Sequence, residues 1–544
     1  MTRLLAASLL LGGLREPRLA ALGEAAVFAV VWLERPALGP AAPWLPWLAW
    51  AFLSAASSRQ PFASLQPLAR WSAALAFFSV AAAWEAEERE SWLKTLLVST
   101  AVLSLAAIWT GWPLGFRGAM TGLIPPYYNY TTFAVSAGVC AGAAWALHPR
   151  TTRGEFRLAG LSVSALGAVC LVLANGRGAL IGVAAGAAFW AVRRWGRSAA
   201  AGLLVAAALA GIAYRAGALP KALRSYAARH GGSLADARMD IWRRAAEIAD
   251  ENGPLGAGLG SFGAAFRMRP VEVRGGQARW GLNTDYAHSE PLQAAAETGW
   301  AGLALWLIGL GASLACLIGG AFDEPAREAA AIAALAMAVH LAVDNMLQIP
   351  ALAMLFFSSL AVAGAGSSGI LRWPRAAAAS GLALALVGWV PRTLADGQPA
   401  RAAELYPRDA YAREDLAYRA MAAGDLAGAD ELWAQARERA PYNAIYPWRR
   451  AQIAAARGRW DDARAQAARA ADDEPGFLDD RVLLAEALVR LGRRAEARDE
   501  LAGVLRDAAS RGEKPAVSRY DEVVWNFNRN EYDRVAALAG LMPR

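Results

Sequence analysis

Apolar runs close to the length of a membrane crossing dominate this chain from about residue 18 to about residue 391. Read from hydropathy alone, they lie at about 18–34, 38–55, 67–85, 91–111, 128–147, 157–174, 178–194, 198–216, 291–319, 326–345, 349–367 and 374–391. A helix rises about 1.5 Å per residue, so about 20 apolar residues match the roughly 30 Å hydrocarbon layer. Lipid offers no partners to backbone N–H and C=O groups. Only helices and closed barrels therefore cross it, and these runs are too long and too evenly apolar for barrel strands. The pattern predicts an all-α fold, a polytopic transmembrane helical bundle of about 11–13 spans. Residues 4–14 can add a short helix, which would reverse the side of the N-terminus. No small-residue cleavage site follows them, so they read as part of the membrane domain and not as a signal peptide.

The pattern changes near residue 395. Beyond it the chain is rich in Ala, Arg, Asp and Glu, and it repeats. Pro407, Pro441 and Pro475 are 34 residues apart, as are Gly424, Gly458 and Gly492, and Ala429, Ala463 and Ala497. That is the tetratricopeptide period, one helix–turn–helix per unit. The glycine closes the first helix, the alanine lets the paired helices approach, and the proline ends the second helix. The expected organisation is a membrane domain over 1–395, with one long outer loop at 217–290, and a soluble α-solenoid of tetratricopeptide repeats over 396–544.

Charge orients the membrane domain. The net charge is +8, from 55 Lys and Arg against 47 Asp and Glu. The arginines sit mainly in loops between apolar runs, which argues against nucleic-acid binding. The loops with Arg150, Arg153 and Arg157, with Arg193, Arg194 and Arg197, and with Arg372 and Arg375 all fall on one side when the spans between them are counted. The positive-inside rule makes that side cytoplasmic. The 111–127 loop, the Asn175–Gly178 turn, the 217–290 loop, the Asp344–Pro350 turn and the C-terminal domain then lie outside. Cys140, Cys170 and Cys316 lie in apolar segments and read as small core residues. The sequence has no Walker loop, zinc helix or cysteine pair at metal spacing, so no cofactor or metal is expected.

Three polar clusters on the outer side stand out. Arg177 sits in Asn175-Gly176-Arg177-Gly178, a turn of almost no length between apolar runs, where a charge must face an aqueous cavity or an anion; a snorkelling interfacial arginine is the plainer reading. Arg238-Met239-Asp240-Ile241-Trp242 precedes Pro254-Leu255-Gly256-Ala257-Gly258-Leu259-Gly260-Ser261-Phe262. No strand precedes those glycines, so a dinucleotide loop is rejected and a flexible loop along the membrane surface is expected. Arg267, Arg269, Arg274 and Arg279 extend a basic, anion-attracting surface. The third cluster is Asp285-Tyr286-Ala287-His288-Ser289-Glu290, just before a span that carries Glu297 and Gly299. A histidine there can act as a general base, though a capping or interfacial role is the plainer reading. His340, four residues before Asp344, reads as half of a packed polar pair.

In order and spacing these clusters resemble the O-antigen ligase and O-antigen polymerase superfamily of membrane glycosyltransferases. The shared features are the Arg-Gly pair at Arg177–Gly178, an arginine with a tryptophan four residues on followed by Pro-Leu-Gly-x-Gly-x-Gly-x-Phe, and the block His288-Ser289-x-x-Leu292-Gln293-x-x-x-Glu297-x-Gly299. Asn129 resembles an earlier family asparagine, and Ser289 departs from the asparagine many ligases carry. The resemblance implies a GT-C-like helical fold in the bacterial inner membrane. It further implies metal-independent, inverting transfer of an undecaprenyl-diphosphate-linked glycan to a hydroxyl of lipid A-core, glycan or protein. His288 would be the base, Arg177 and Arg238 would hold the diphosphate, and Glu290 or Glu297 would orient His288. Arg267, Arg269, Asn129 and Tyr286 would line the substrate site. The repeat domain would recruit a protein partner or the acceptor.

Ligation, polymerisation and protein O-glycosylation all fit this resemblance. Outside the enzyme class, a lipid-linked glycan transporter would need polar residues continuing to the cytoplasmic side. A membrane-anchored repeat scaffold would tolerate His288→Ala but not removal of 400–544.

Overall fold

The computed structural model describes the chain except residues 11, 15, 112–127, 175, 197, 203–232, 270, 272–282, 320–322, 365–370, 512–518 and 542–544. Among the described residues every regular element is helical, and the one extended pairing is an isolated antiparallel bridge between Ala37 and Arg372. The chain forms two compact units. One comprises residues 1–238, 245–260 and 286–393; the other comprises 239–244, 261–285 and 394–544.

The first unit opens with α1 (Thr2–Leu10), α2 (Pro17–Glu34), α3 (Leu45–Ser57), α4 (Pro61–Ala82) and α5 (Ala86–Gly111). It continues with α6 (Tyr128–Leu147), α7 (Gly154–Leu173), α8 (Arg177–Trp195) and most of α9 (Ser233–Glu251). After the short α10 (Phe262–Arg267) of the second unit, it resumes with α11 (Glu290–Gly319), α12 (Pro325–Leu341), α13 (Pro350–Val362) and α14 (Arg375–Gly388). Among the described residues, five stretches are long and apolar enough to cross a membrane: Ala86–Gly111, Tyr130–Leu147, Gly154–Leu173, Glu290–Ala315 and Arg375–Ala395. The chain is thus an all-α polytopic protein.

Several expected spans are shorter helices. Residues 38–55 hold a 3₁₀ turn at Ala42–Trp44 and then α3, because Pro43 and Pro46 delay the start of the helix. The expected span at 326–345 ends at Leu341, which leaves Asp344 in a connecting segment. The expected span at 198–216 lies largely outside the described residues. Proline occupies the first turn of α2, α4, α12 and α13, where its missing N–H costs nothing and its fixed φ suits the helix.

Small residues set the helix spacing. A Cβ on Gly182 of α8 would stand 2.5 Å from the Ala336 carbonyl oxygen of α12, and one on Gly178 would stand 2.7 Å from the His340 ring. Gly186 likewise meets Ile332. Glycines at every fourth position therefore let the backbones of α8 and α12 come together, as small residues do between helices in lipid. The start of α8 meets the end of α12, so the two run antiparallel. Between α3, α4, α11 and α13 the core is aromatic: Trp44, Trp47, Trp71, Trp306 and Phe357 are all buried, and the Trp47 and Trp71 rings meet at a tilt with centroids 4.4 Å apart.

α15 (Val390–Ala395) lies mostly in the first unit, and the second continues from Leu394 through α16 (Pro399–Leu405) into three helix pairs. These are α17 (Ala410–Ala422) with α18 (Leu426–Arg439), α19 (Ile445–Ala456) with α20 (Trp460–Asp473), and α21 (Leu478–Arg490) with α22 (Arg494–Ser510). Gly424, Gly458 and Gly492 turn each pair at φ +79°, +71° and +80°, and Ala429, Ala463 and Ala497 are fully buried between the helices. α23 (Arg519–Trp525) and α24 (Arg529–Leu538) pack on the last pairs.

Candidate functional site

The site begins with a break in a helix. Gly299 interrupts α11 with φ +73° and ψ 173°, values open to glycine alone. The break frees carbonyls that a continuous helix would use internally, and those of Ala296, Glu297 and Thr298 find other donors. Ala257 N–H donates to the Ala296 carbonyl at 2.9 Å and Gly258 N–H to that of Glu297 at 3.0 Å. Ser54 Oγ also donates to the Glu297 carbonyl (2.8 Å), and Trp50 Nε1 donates to that of Thr298 (2.9 Å). Irregular backbone within a membrane domain survives only when it is satisfied in this way.

The glycine-rich segment that makes two of these bonds is not a loose surface loop. Gly253, Gly256, Gly258 and Gly260 all have positive φ, and Leu259 is buried. A Cβ on Gly256 would stand 2.5 Å from the backbone of Glu297, and one on Gly260 would stand 2.6 Å from the Ala63 carbonyl oxygen. The glycines form a seat for the broken helix. Their physical reason is close backbone approach, which the same residues in a flexible loop would not require.

His288 stands two residues before α11, with a left-handed backbone at φ +50° that is uncommon for any residue but glycine. Its Nδ1 lies 3.3 Å from Asp344 Oδ1. The Asp344 Oδ2 atom lies 3.9 Å from Arg238 Nη2, and Arg238 Nη1 donates to the Val343 carbonyl at 3.1 Å. Burial works against the Asp344 carboxylate. The His288 hydrogen bond and the charges of His340, His288 and Arg238 outweigh it and hold its pKa below the ordinary aspartate value. His340 is itself buried and stacks on Phe133 at 4.3 Å.

Arg177 is the first residue of α8, one position before the glycine that packs on His340 and Val343. Its guanidinium makes no hydrogen bond or ion pair to a described residue. The 340–345 segment is thus common ground: the start of α8 packs against it, Arg238 binds it, and His288 pairs with it. Within one unit the fold brings together a base candidate, its carboxylate and the Arg238 guanidinium, and the helix that Arg177 begins packs against the same segment.

The other predicted residues are placed differently. Glu290 is buried and accepts from Leu347 N–H at 2.7 Å, so its carboxylate serves the 346–348 turn, while the carboxylate on the His288 ring is Asp344. Glu297 accepts from Gln293 Nε2 at 2.7 Å. Tyr286 is exposed. In the other unit, Arg267 Nη1 donates to Asp285 Oδ1 at 2.8 Å and its guanidinium lies 5.0 Å over the Tyr411 ring, while Arg269 is exposed. The Asn129 side chain, Arg274 and Arg279 lie outside the described residues. Asp344 is the partner that sequence reasoning gave to His340. Arg70 of α4 escaped notice altogether; it is buried and its guanidinium donates to Gln348 Oε1. A lone arginine inside an apolar run was the signal that marked it.

No curated protein matches this chain. A family model described as O-Antigen ligase matches residues 162–307, a stretch that includes Arg177, Arg238, the glycine seat, His288 and the break at Gly299. The match supports O-antigen ligase-type function in a membrane-embedded protein of the glycosyltransferase kind, and residues 162–307 are similar to the O-antigen ligase family.

Proposed function

We propose that this protein transfers a glycan from an undecaprenyl-diphosphate carrier to an acceptor hydroxyl on the periplasmic face of the inner membrane. The observation that carries the reading is the His288–Asp344 pair at the turn where Arg238 is held and the helix of Arg177 begins. With Nδ1–H directed at the Asp344 carboxylate, the Nε2 lone pair of His288 accepts the acceptor's proton. The acceptor oxygen then forms a bond to the anomeric carbon as the bond from that carbon to the phosphate oxygen breaks. The electron pair leaves on undecaprenyl diphosphate, and direct displacement inverts the anomeric centre. Arg177 and Arg238 bind the diphosphate and stabilise the charge that builds on it, so the reaction needs no metal ion. General-base catalysis of this kind contributes about 10²–10⁴-fold.

The 34-residue helix pairs are proposed to be tetratricopeptide repeats on the periplasmic side. Their stacked arrangement suits the capture of a protein partner or of the acceptor. Ligation to lipid A-core is the first reading, and polymerisation and protein O-glycosylation by the same chemistry are its alternatives. Comparing envelope glycans of a deletion strain with its parent tests the proposal. Loss of surface polysaccharide with carrier-linked polymer accumulating means ligation, and single repeat units on the acceptor mean polymerisation. Unchanged glycans would overturn the enzyme reading in favour of a scaffold.

A further inference from the structure

His288 holds a strained backbone conformation, and the backbone N–H groups of the residues on both sides of it are held by buried side-chain amides. Ala287 N–H donates to Gln293 Oε1 at 2.7 Å, and Ser289 N–H donates to Asn345 Oδ1 at 3.0 Å. Ala287, Ser289, Gln293 and Asn345 are all at most 7% exposed, so water does not substitute for these acceptors. The two amides also meet each other, with Asn345 Nδ2 at 3.5 Å from Gln293 Oε1. Gln293 is anchored in turn by donating to Glu297 Oε1 at 2.7 Å.

Asn345 reaches the other half of the pair as well. Its own backbone N–H donates to Asp344 Oδ1 at 2.9 Å, the oxygen that faces His288 Nδ1. One residue therefore fixes both the backbone that carries the imidazole and the carboxylate that orients it. A left-handed conformation is disfavoured for a residue that carries a Cβ. It persists where its surroundings over-determine it, and such sites concentrate where function needs a fixed direction.

The geometry points to Gln293 and Asn345 as positioning residues that clamp the backbone on either side of His288 and so aim its ring at the acceptor. This inference rests on the proposed role of His288 as base. Neither amide needs to touch substrate; each acts through the peptide it holds. Misplacing a reacting group by about 1 Å can cost about 10²-fold in rate.

The test uses the full-length protein in membranes of its native host, which supply endogenous donor and acceptor. Two quantities are read for each variant: the initial rate of glycan transfer and the affinity of the purified full-length protein for undecaprenyl diphosphate alone. Gln293→Ala and Asn345→Ala are expected to lower the rate about 10–100-fold while affinity stays within about twofold of wild type. Gln293→Glu is the conservative variant. Its side-chain oxygen still accepts from Ala287 N–H. It is expected to recover most of the rate. Wild-type rates in both alanine variants, with His288→Ala inactive, would overturn the clamp and leave the base assignment standing. Parallel loss of rate and affinity, with no recovery in Gln293→Glu, would also overturn it, because general unfolding of the site would then be the cause. Full activity of His288→Ala would instead remove the reading on which the clamp rests.

Discussion

His288 Nδ1 and Asp344 Oδ1 meet at 3.3 Å across 56 residues of chain, one at the head of α11 and the other just beyond the end of α12. The contact joins an imidazole that can accept a proton to a carboxylate that fixes its tautomer and direction. Asp344→Asn keeps the shape and removes the charge. It is expected to lower transfer about 100–1000-fold, within the range of about 10²–10⁴ that general-base catalysis supplies. Initial rates in native membranes check this, and a loss of less than twofold would show that the carboxylate does not serve the base.

The same pair sets a stability difference with a definite sign. The Asp344 pKa is depressed in the folded protein, so its stabilising contribution is present above the ordinary aspartate value of about 3.9 and fades as pH falls through the folded value. The midpoint of thermal unfolding in detergent should therefore be lower for Asp344→Asn than for wild type at pH 7. The two midpoints should converge as the pH falls below the depressed Asp344 value. A difference that grows in acid would contradict the ionised pair.

Arg177 and Arg238 are assigned to the carrier diphosphate. A hydrogen bond to a charged group is worth about 1.5–3 kcal/mol, so each alanine variant should weaken binding of undecaprenyl diphosphate about 10–100-fold. Arg238→Lys should retain charge but lose the planar fork and fall between the two. Titration of the purified full-length protein with the carrier lipid measures this. Unchanged affinity in both alanine variants would dissociate these arginines from the diphosphate.

Two glycine substitutions separate close approach from backbone conformation. Gly182→Leu places a large side chain where a Cβ alone already stands 2.5 Å from the Ala336 carbonyl oxygen, so α8 must separate from α12 and the membrane unit should fail to assemble. Gly458→Ala meets no atom within 4 Å, and its cost is that of φ +71° alone, about 1 kcal/mol. It should lower the unfolding midpoint by only a few degrees and leave transfer intact. Size-exclusion profiles and thermal scans of both variants distinguish the two effects.

Arg267 pairs with Asp285 in the second unit, with 13% of its side chain exposed against 67% for the aspartate. Solvent screens such a pair, so a double-mutant cycle with Arg267→Ala and Asp285→Ala should give a coupling of about 0.2–1 kcal/mol. A larger coupling would mark the pair as a principal fastening of that segment.

Much of this was legible before any coordinates. Arg177 and His288 stood out because charge and imidazole beside apolar runs are costly unless they face water or a ligand, and the helix pairs at 34-residue spacing follow from proline and glycine positions. What escaped depended on long-range contact or on the exact end of a helix. Asp344 lies four residues beyond His340, which implies a shared face only if the helix continues. It stops at Leu341, and the carboxylate turns to a histidine 56 residues earlier. Glu290 looked like a partner for its neighbour but caps the turn at Leu347. The glycines at 256–260 looked like flexibility, whereas the break at Gly299 that they accommodate shows only when two distant backbones are seen against each other.

The most direct measurement is the pool of carrier-linked glycan in the native host when His288→Ala replaces the wild-type protein at equal membrane abundance. The account predicts that carrier-linked glycan accumulates and that none reaches the acceptor. Transfer at the wild-type level by His288→Ala would contradict it.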